Sequence, residues 1–397
     1  MRNKKENIIF TASHLYLFWT TGVYYVWELS KKYNVILFVE DYYKKDKQFQ
    51  DVCKYLKVYQ IIYYKKNRNT ISSHYNFNKL CKKIVSKFSP KEIFHYNHEA
   101  IWNQYLSYWS SFLLHNCINT VYINGHLGLI DSKLIANEAW QNIIDEKSKK
   151  YFIPKWLLGK FINTIKKIKH YLEYYLLPFI ILGHNPMFQL EKKKSIPFNT
   201  VLCYQNFEKN ILNNNYNRGS DYLSKKIKVK KINHPVETIG KECNEFLYGS
   251  HIEDNVILMP TLIGFNRLET ELPLLNNWID VANIIKRKFQ NYKIQLKLHP
   301  GSKKNPDLHK IQDYLRNKCS DILVMNPSVN SQKLICGSKV IVSDTSSVLW
   351  WANFIKNKTL ISIDFHNFVG SDQMKYYKNI YYFEKIEKLK NYNFLIK

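Results

Sequence analysis

Two α/β domains, each built on a doubly wound parallel sheet, are what this sequence predicts, and three observations carry the prediction. The chain has 397 residues, too many for one ordinary core, and 45% of them are hydrophobic, enough apolar side chain for two. Short β-branched runs alternate with stretches of helical spacing. The runs of the second half stop abruptly at Pro260-Thr261, His299-Pro300 and Ser343-Asp344, turn-forming and polar residues of the kind that end buried strands.

In the first half, the spacing predicts a strand over 8–11, a turn at Thr20-Thr21-Gly22, a helix over 23–32 and a strand over 35–40. A helical stretch over 99–114 and a β-branched run over 120–123, ending in Asn124-Gly125-His126, continue the alternation. Residues 140–195 differ. Aromatic and aliphatic residues interleave there with lysines and prolines, and no uncharged run approaches the ~20 residues of a membrane span. Two readings stay open for them: a basic amphipathic segment on an anionic inner leaflet, or a pair of core helices with lysines on the wet side. From Thr200 the pattern is regular, with strands over 256–259, 293–298, 322–325, 339–342 and 359–363, and helices over 274–289, 306–318, 329–336 and 346–355. The expected organisation is a first domain over 1–199 containing the insertion, a second over 200–375, and a C-terminal helix over 376–397 packing back on the first domain.

Lys and Arg number 59 against 32 Asp and Glu, a formal charge of +27 that suits nucleic acid, an anionic membrane face or a phosphorylated substrate. The lysines are spread along the chain, with no RRM or helix-turn-helix pattern to gather them, so a nucleic-acid partner is not expected. The seven cysteines (Cys53, Cys81, Cys117, Cys203, Cys243, Cys319, Cys336) include no CxxC pair and no histidines at zinc spacing, which argues against a disulfide framework and a zinc site. The N-terminus is basic but lacks a sustained apolar core and a small-residue cleavage site, so a cytoplasmic protein is expected.

In an open parallel sheet ligands bind beyond the carboxyl ends of the strands, which directs attention to three places. These are Pro260-Thr261, Lys297-Leu298-His299-Pro300-Gly301 and Ser343-Asp344-Thr345-Ser346-Ser347. Ser346 and Ser347 open an expected helix, where free N–H groups and hydroxyls favour an anion; equally, Ser343, Asp344 or Thr345 can serve as a plain N-cap. Pro300 holds His299 extended at the sheet edge, where a ring N–H could bind a phosphate oxygen. Lys297 and Arg267 are further phosphate partners by charge, or else members of a solvated face.

Taken in order, VILMPT, KLHP and VIVSDTSSVLWWA resemble the donor-domain elements of CDP-glycerol glycerophosphotransferases, the teichoic acid polymerases. The HP and paired-serine elements are also similar to those of bacterial sialyltransferases and capsule Kdo transferases. The resemblance implies a GT-B transferase: two Rossmann-like domains facing a cleft, a nucleotide-activated donor (CMP-, CDP- or UDP-linked) as substrate, no resident cofactor and no obligatory metal. It further implies an acceptor that is a lipid-linked or polymeric surface glycan; a place at the inner face of the plasma membrane follows only from the amphipathic reading of 140–195. His299 would then contact the donor phosphate, Ser346 and Ser347 would hold it at the helix N-terminus, and Thr261 would line the same crevice; Arg267, Lys297, Pro300 and Thr345 complete the set of candidate donor-binding residues. This chain departs from the family where Thr345 replaces a tyrosine and where Trp350-Trp351 replaces an aromatic-acidic pair.

An inverting transferase needs a base on the acceptor side. His126, between Gly125 and Gly128, follows an expected strand and resembles the family's histidine-glycine element; Glu40 and Asp41, after the strand over 35–40, are the carboxylate rivals. His234-Pro235 reads as a structural turn, and His95 and His98 lack further ligands for a metal. The competing readings are a UDP-sugar epimerase of the same architecture, whose serine-glycine-glycine helix start is missing here, and a basic nucleic-acid-binding protein.

Overall fold

The computed structural model describes residues 5–12, 18–65, 71–95, 106, 119–123, 164–165, 168, 200–210, 228–249, 253–261, 263–344, 346–365 and 371–394. The chain divides into two units, Met1–Asn233 and His234–Lys397. Among the described residues no helix is long and apolar enough to cross a membrane.

The first unit is built on a sheet of β1 (Asn7–Ala12), β2 (Asn34–Glu40), β3 (Gln60–Tyr64), β4 (Glu92–His95), β5 (Asn119–Ile123), β6 (Thr200–Cys203) and β7 (Lys228–Lys231). All pairings are parallel, in the order β3-β2-β1-β4-β5-β6-β7. Helices α1 (Val23–Lys32), α2 (Lys47–Tyr55) and α3 (Ile71–Phe88) connect the first strands. Phe77, Cys81, Ile84 and Val85 of α3 pack on Ile9, Ile36, Phe38 and Ile93 of the sheet. The strands β1 and β2 are near-continuous buried runs, as expected when a parallel sheet is covered on both faces.

The second unit repeats the scheme with β8 (Glu253–Met259), β9 (Lys293–Lys297), β10 (Leu323–Met325), β11 (Ser338–Ser343), β12 (Thr359–Ile363) and β13 (Ile380–Phe383). Their order is β10-β9-β8-β11-β12-β13, again all parallel. The helices of this unit are α4 (Pro235–Tyr248), α5 (Leu268–Lys288), α6 (Leu308–Lys318), α7 (Ser331–Gly337), α8 (Ser347–Ala352) and α9 (Ile386–Asn391). Leu275, Trp278, Ala282 and Ile285 of α5 close one core with Val256, Leu258, Val340, Val342 and Ile361. Burying each such aliphatic side chain contributes about 1.5–3 kcal/mol before entropy is counted. In each sheet the direction of strand addition reverses beside the first strand, so the ligand crevice of such a fold lies between β1 and β4, and between β8 and β11.

Three expectations are corrected. The boundary expected at 199/200 falls inside the first unit, because β6 and β7 pair onto β5 and extend the first sheet; the division comes at Asn233/His234. Residues 376–394 do not form the single helix expected there. They add β13 beside β12 and lay α9 against α5, with Phe383, Ile386, Leu389 and Phe394 joining the core of the second unit. The expected turn at 20–22 is the end of a π-helical turn, Phe18–Gly22, that runs straight into α1 with every residue buried. All of the expected helix over 99–114 except Leu106, and all but three residues of the 140–195 segment, lie outside the described residues, so neither reading of the latter segment is decided.

Candidate functional site

The carboxyl ends of β9, β8 and β11 lie side by side because the sheet order makes them neighbours. Met259 pairs in register with Ser343, and Leu258 with Leu296, so Lys297, Met259 and Ser343 end three adjacent strands together. Ser343 Oγ donates to the Met259 carbonyl at 2.5 Å, pinning β11 to β8 at this edge. One residue on, Asp344 is 0% exposed and takes the backbone N–H of Thr261 at 3.1 and 3.2 Å, and its hydroxyl as well. Thr261 and Asp344 thus bridge the switch point itself. The helix cap falls elsewhere: Ser346 Oγ accepts from Val348 N–H at 3.2 Å, which makes Ser346 the N-cap of α8, with Ser347 its first residue.

His299 follows β9 at the exposed rim. Its Nδ1 accepts the N–H of Gly301 at 3.0 Å, which leaves the proton of the neutral ring on Nε2 as a donor. Shielding of the ring from water, and then the Lys297 ammonium, lower its pKa from the usual histidine value, while Asp344 pulls the other way. The ring stands 5.3 Å from that of Phe265, which is 45% exposed. Lys297 is 1% exposed, and its Nζ donates to the Leu298 carbonyl at 3.2 Å. Burial, with help from Lys303, lowers its pKa to about 8.

The pH dependence of Lys297 follows from that value. Between about pH 8 and 10.5 the unfolded chain keeps a proton that the folded chain has released, so this group makes stability rise with pH. Lys297→Met is therefore expected to melt above wild type at pH 7, with the gap closing by about pH 10.5. Thermal melts of both proteins across this range check it; a pH-independent gap would contradict the burial cost. Buried thiols such as Cys336, pushed up to about 12, oppose the trend in both proteins and cancel in the difference.

The remaining expected site residues are placed as follows. Pro300 is exposed and begins the turn Pro300–Lys304, and Arg267 is exposed and serves α5 through its backbone, its carbonyl accepting from Thr270 and Glu271. Thr345 and His126 lie outside the described residues. Glu40 ends β2 fully buried and Asp41 opens the short turn after it, both in the first unit. Also in that unit, Thr11 Oγ1 and His95 Nδ1 come within 3.4 Å across β1 and β4, a polar pair at the switch point of the first sheet. Trp350 and Trp351 are buried, at 1% and 0% exposure. Among the described residues no group of three or more His, Cys, Asp or Glu could hold a metal ion.

No protein-family model matches the chain, and no curated protein does. Solved structures do. The chain is similar to the UDP-GlcNAc 2-epimerase of Neisseria meningitidis bound to UDP-GlcNAc, at 12% identity over 97% of this chain and 89% of that one, with a TM-score of 0.54. It is similar in the same way to the UDP-GlcNAc 2-epimerase of Methanocaldococcus jannaschii, at 13% identity over 99% and 95%, with a TM-score of 0.54. At such identity the likeness shows the fold: two Rossmann-like α/β domains of the GT-B class.

Proposed function

We propose that the chain is a GT-B enzyme that takes a nucleotide-activated sugar or polyol into the carboxyl-edge crevice of its second unit. The observation that carries this reading is the convergence of Thr261, Asp344, Lys297, His299 and Ser346 on three adjacent strand ends at the switch point. His299 offers a neutral Nε2–H donor to a phosphate oxygen, and Lys297 a cation just beneath it. Both stabilise the negative charge that grows on a departing nucleotide phosphate. The exposed face of Phe265 suits a flat ring of the same ligand. The resemblance of the three motifs to glycerophosphotransferases supports transfer to a surface glycan. The first unit supports an anionic acceptor, since residues 1–233 hold 37 Lys and Arg against 16 Asp and Glu, compared with 22 against 16 in residues 234–397.

Thermal-shift titration with CMP, CDP, UDP, GDP and ADP, beside His299→Ala, tests the reading. One nucleotide is expected to stabilise the wild type selectively, by about 2.7 kcal/mol at a hundredfold excess over Kd, and much less in the variant. No shift with any nucleotide would sink it. A second reading, epimerisation of a UDP-sugar, is favoured by the fold neighbours, both UDP-GlcNAc 2-epimerases. NMR of a UDP-sugar incubated with the protein separates the two: inversion at a ring carbon with the sugar still attached to UDP means epimerase, and acceptor-dependent release of nucleotide means transferase.

A further inference from the structure

Between β8 and α5 the described residues 263–267 form no helix or strand, yet their backbone is held from two sides. Glu271, in the first turn of α5 and 3% exposed, accepts the N–H groups of Gly264 at 2.6 Å, Phe265 at 2.8 Å and Asn266 at 2.7 Å. From the other side the Asn305 amide donates to the carbonyls of Gly264 at 2.9 Å and Asn266 at 2.6 Å. Gly264 has φ +96°, and a Cβ on it would lie 2.5 Å from Cβ of Ser302, so the loop sits directly on the turn after β9. That turn receives the loop in return, because a Cβ on Gly301 would meet the Phe265 ring at 2.8 Å.

Three consecutive N–H groups aimed at one point form an anion-binding nest. Here the chain's own carboxylate fills the nest and closes it to a ligand phosphate. What the filled nest does is hold the Phe265 ring out beside His299.

We propose that Glu271 and Asn305 are positioning residues of the crevice, locking loop 263–266 onto turn 299–305 as one preformed wall that presents Phe265 and His299 together to a nucleoside diphosphate. The proposal rests on the nucleotide reading and deepens it: Phe265 meets the flat ring, His299 the phosphate, and no loop has to order on binding. A wall already ordered avoids the entropy cost that a loose loop would charge against affinity.

Calorimetric titration with UDP and CDP tests this. Glu271→Gln keeps the size but turns an NH2 toward the nest in place of one acceptor. Asn305→Ala cuts the second set of bonds and serves if Glu271→Gln fails to fold. Each is expected to raise Kd about tenfold or more, and the effect is expected to shrink to within about twofold when Phe265 is already alanine. A residue with a merely structural role would weaken binding equally in both backgrounds. That outcome, or an unchanged Kd in the single variants, overturns the proposal and leaves the nucleotide reading standing. If the wild type binds neither UDP nor CDP the proposal falls, and the nucleotide reading falls with it only if CMP, GDP and ADP fail to bind as well.

Discussion

Replacing His234 with asparagine is expected to make the protein less stable at pH 7.5 yet flatten its loss of stability in acid. His234 is fully buried, its Nδ1 accepts the Val236 N–H at 3.1 Å as the N-cap of α4, and its ring stacks on Phe354 at 4.7 Å. Burial alone lowers its pKa from 6.5 to about 3. The folded chain therefore refuses a proton that the unfolded chain accepts anywhere between those values. Its contribution is intact above pH 6.5 and drains away as pH falls toward 3, at up to about 1.4 kcal/mol per pH unit. Asparagine keeps a capping oxygen but does not titrate, and it forfeits the ring's packing, a loss of about 1–3 kcal/mol at pH 7.5. Urea denaturation at pH 7.5, 6, 5 and 4 should show the two stability curves converging as the solution is acidified. Parallel curves would mean that the ring is hydrated or protonated in the native state.

Asp344→Ala is expected to cost about 2–4 kcal/mol and to abolish the nucleotide-dependent shift in melting temperature. The carboxylate is buried and takes both the N–H and the hydroxyl of Thr261. Alanine would leave these donors without their acceptor at the seam between β8 and β11. It would also remove the charge that raises the pKa of His299, which would lower the basicity of that ring further. Urea midpoints with and without nucleotide measure both effects. A variant that binds nucleotide as wild type does would show that the bridge is structural only.

The second unit was readable because its buried strands are short apolar runs with sharp stops. The expected strand over 359–363 matches β12, and those over 256–259, 293–298 and 339–342 each lie within a few residues of β8, β9 and β11. Helix α5 begins six residues earlier than the spacing implied. Pro273 removes one backbone donor inside it, but burial of Leu275, Trp278 and Ile279 outweighs that loss. Strands β3, β4, β6 and β7 passed unnoticed, being four or five residues long, with β7 mostly lysine. The two His-Pro pairs show most clearly where local reading ends. His234 and His299 make the same bond, Nδ1 accepting from the N–H two residues on, and each is followed by proline at the start of a helical turn. One lies against Trp350 and Phe354 in a core and the other at an open rim, a difference set by residues far away in the chain. The Thr261–Asp344 bridge was invisible for the same reason, its partners standing 83 positions apart. Glu271 lies before the helix that the spacing implied over 274–289, and nothing local marks it as the carboxylate that holds a loop.

The composition of β7 has its own consequence. It is the last strand of the seven-stranded order, and its sequence is KVKK, with Val229 buried and Lys228, Lys230 and Lys231 in water. An outer strand with unpaired N–H and C=O groups invites another chain to dock along it, and lysines are among the side chains that discourage this most. Part of the chain's positive charge thus sits on a strand where, by this principle, it discourages docking of another chain. Trading those lysines for threonine would keep the strand and lower the charge, while turning a guarded margin into a template for self-association.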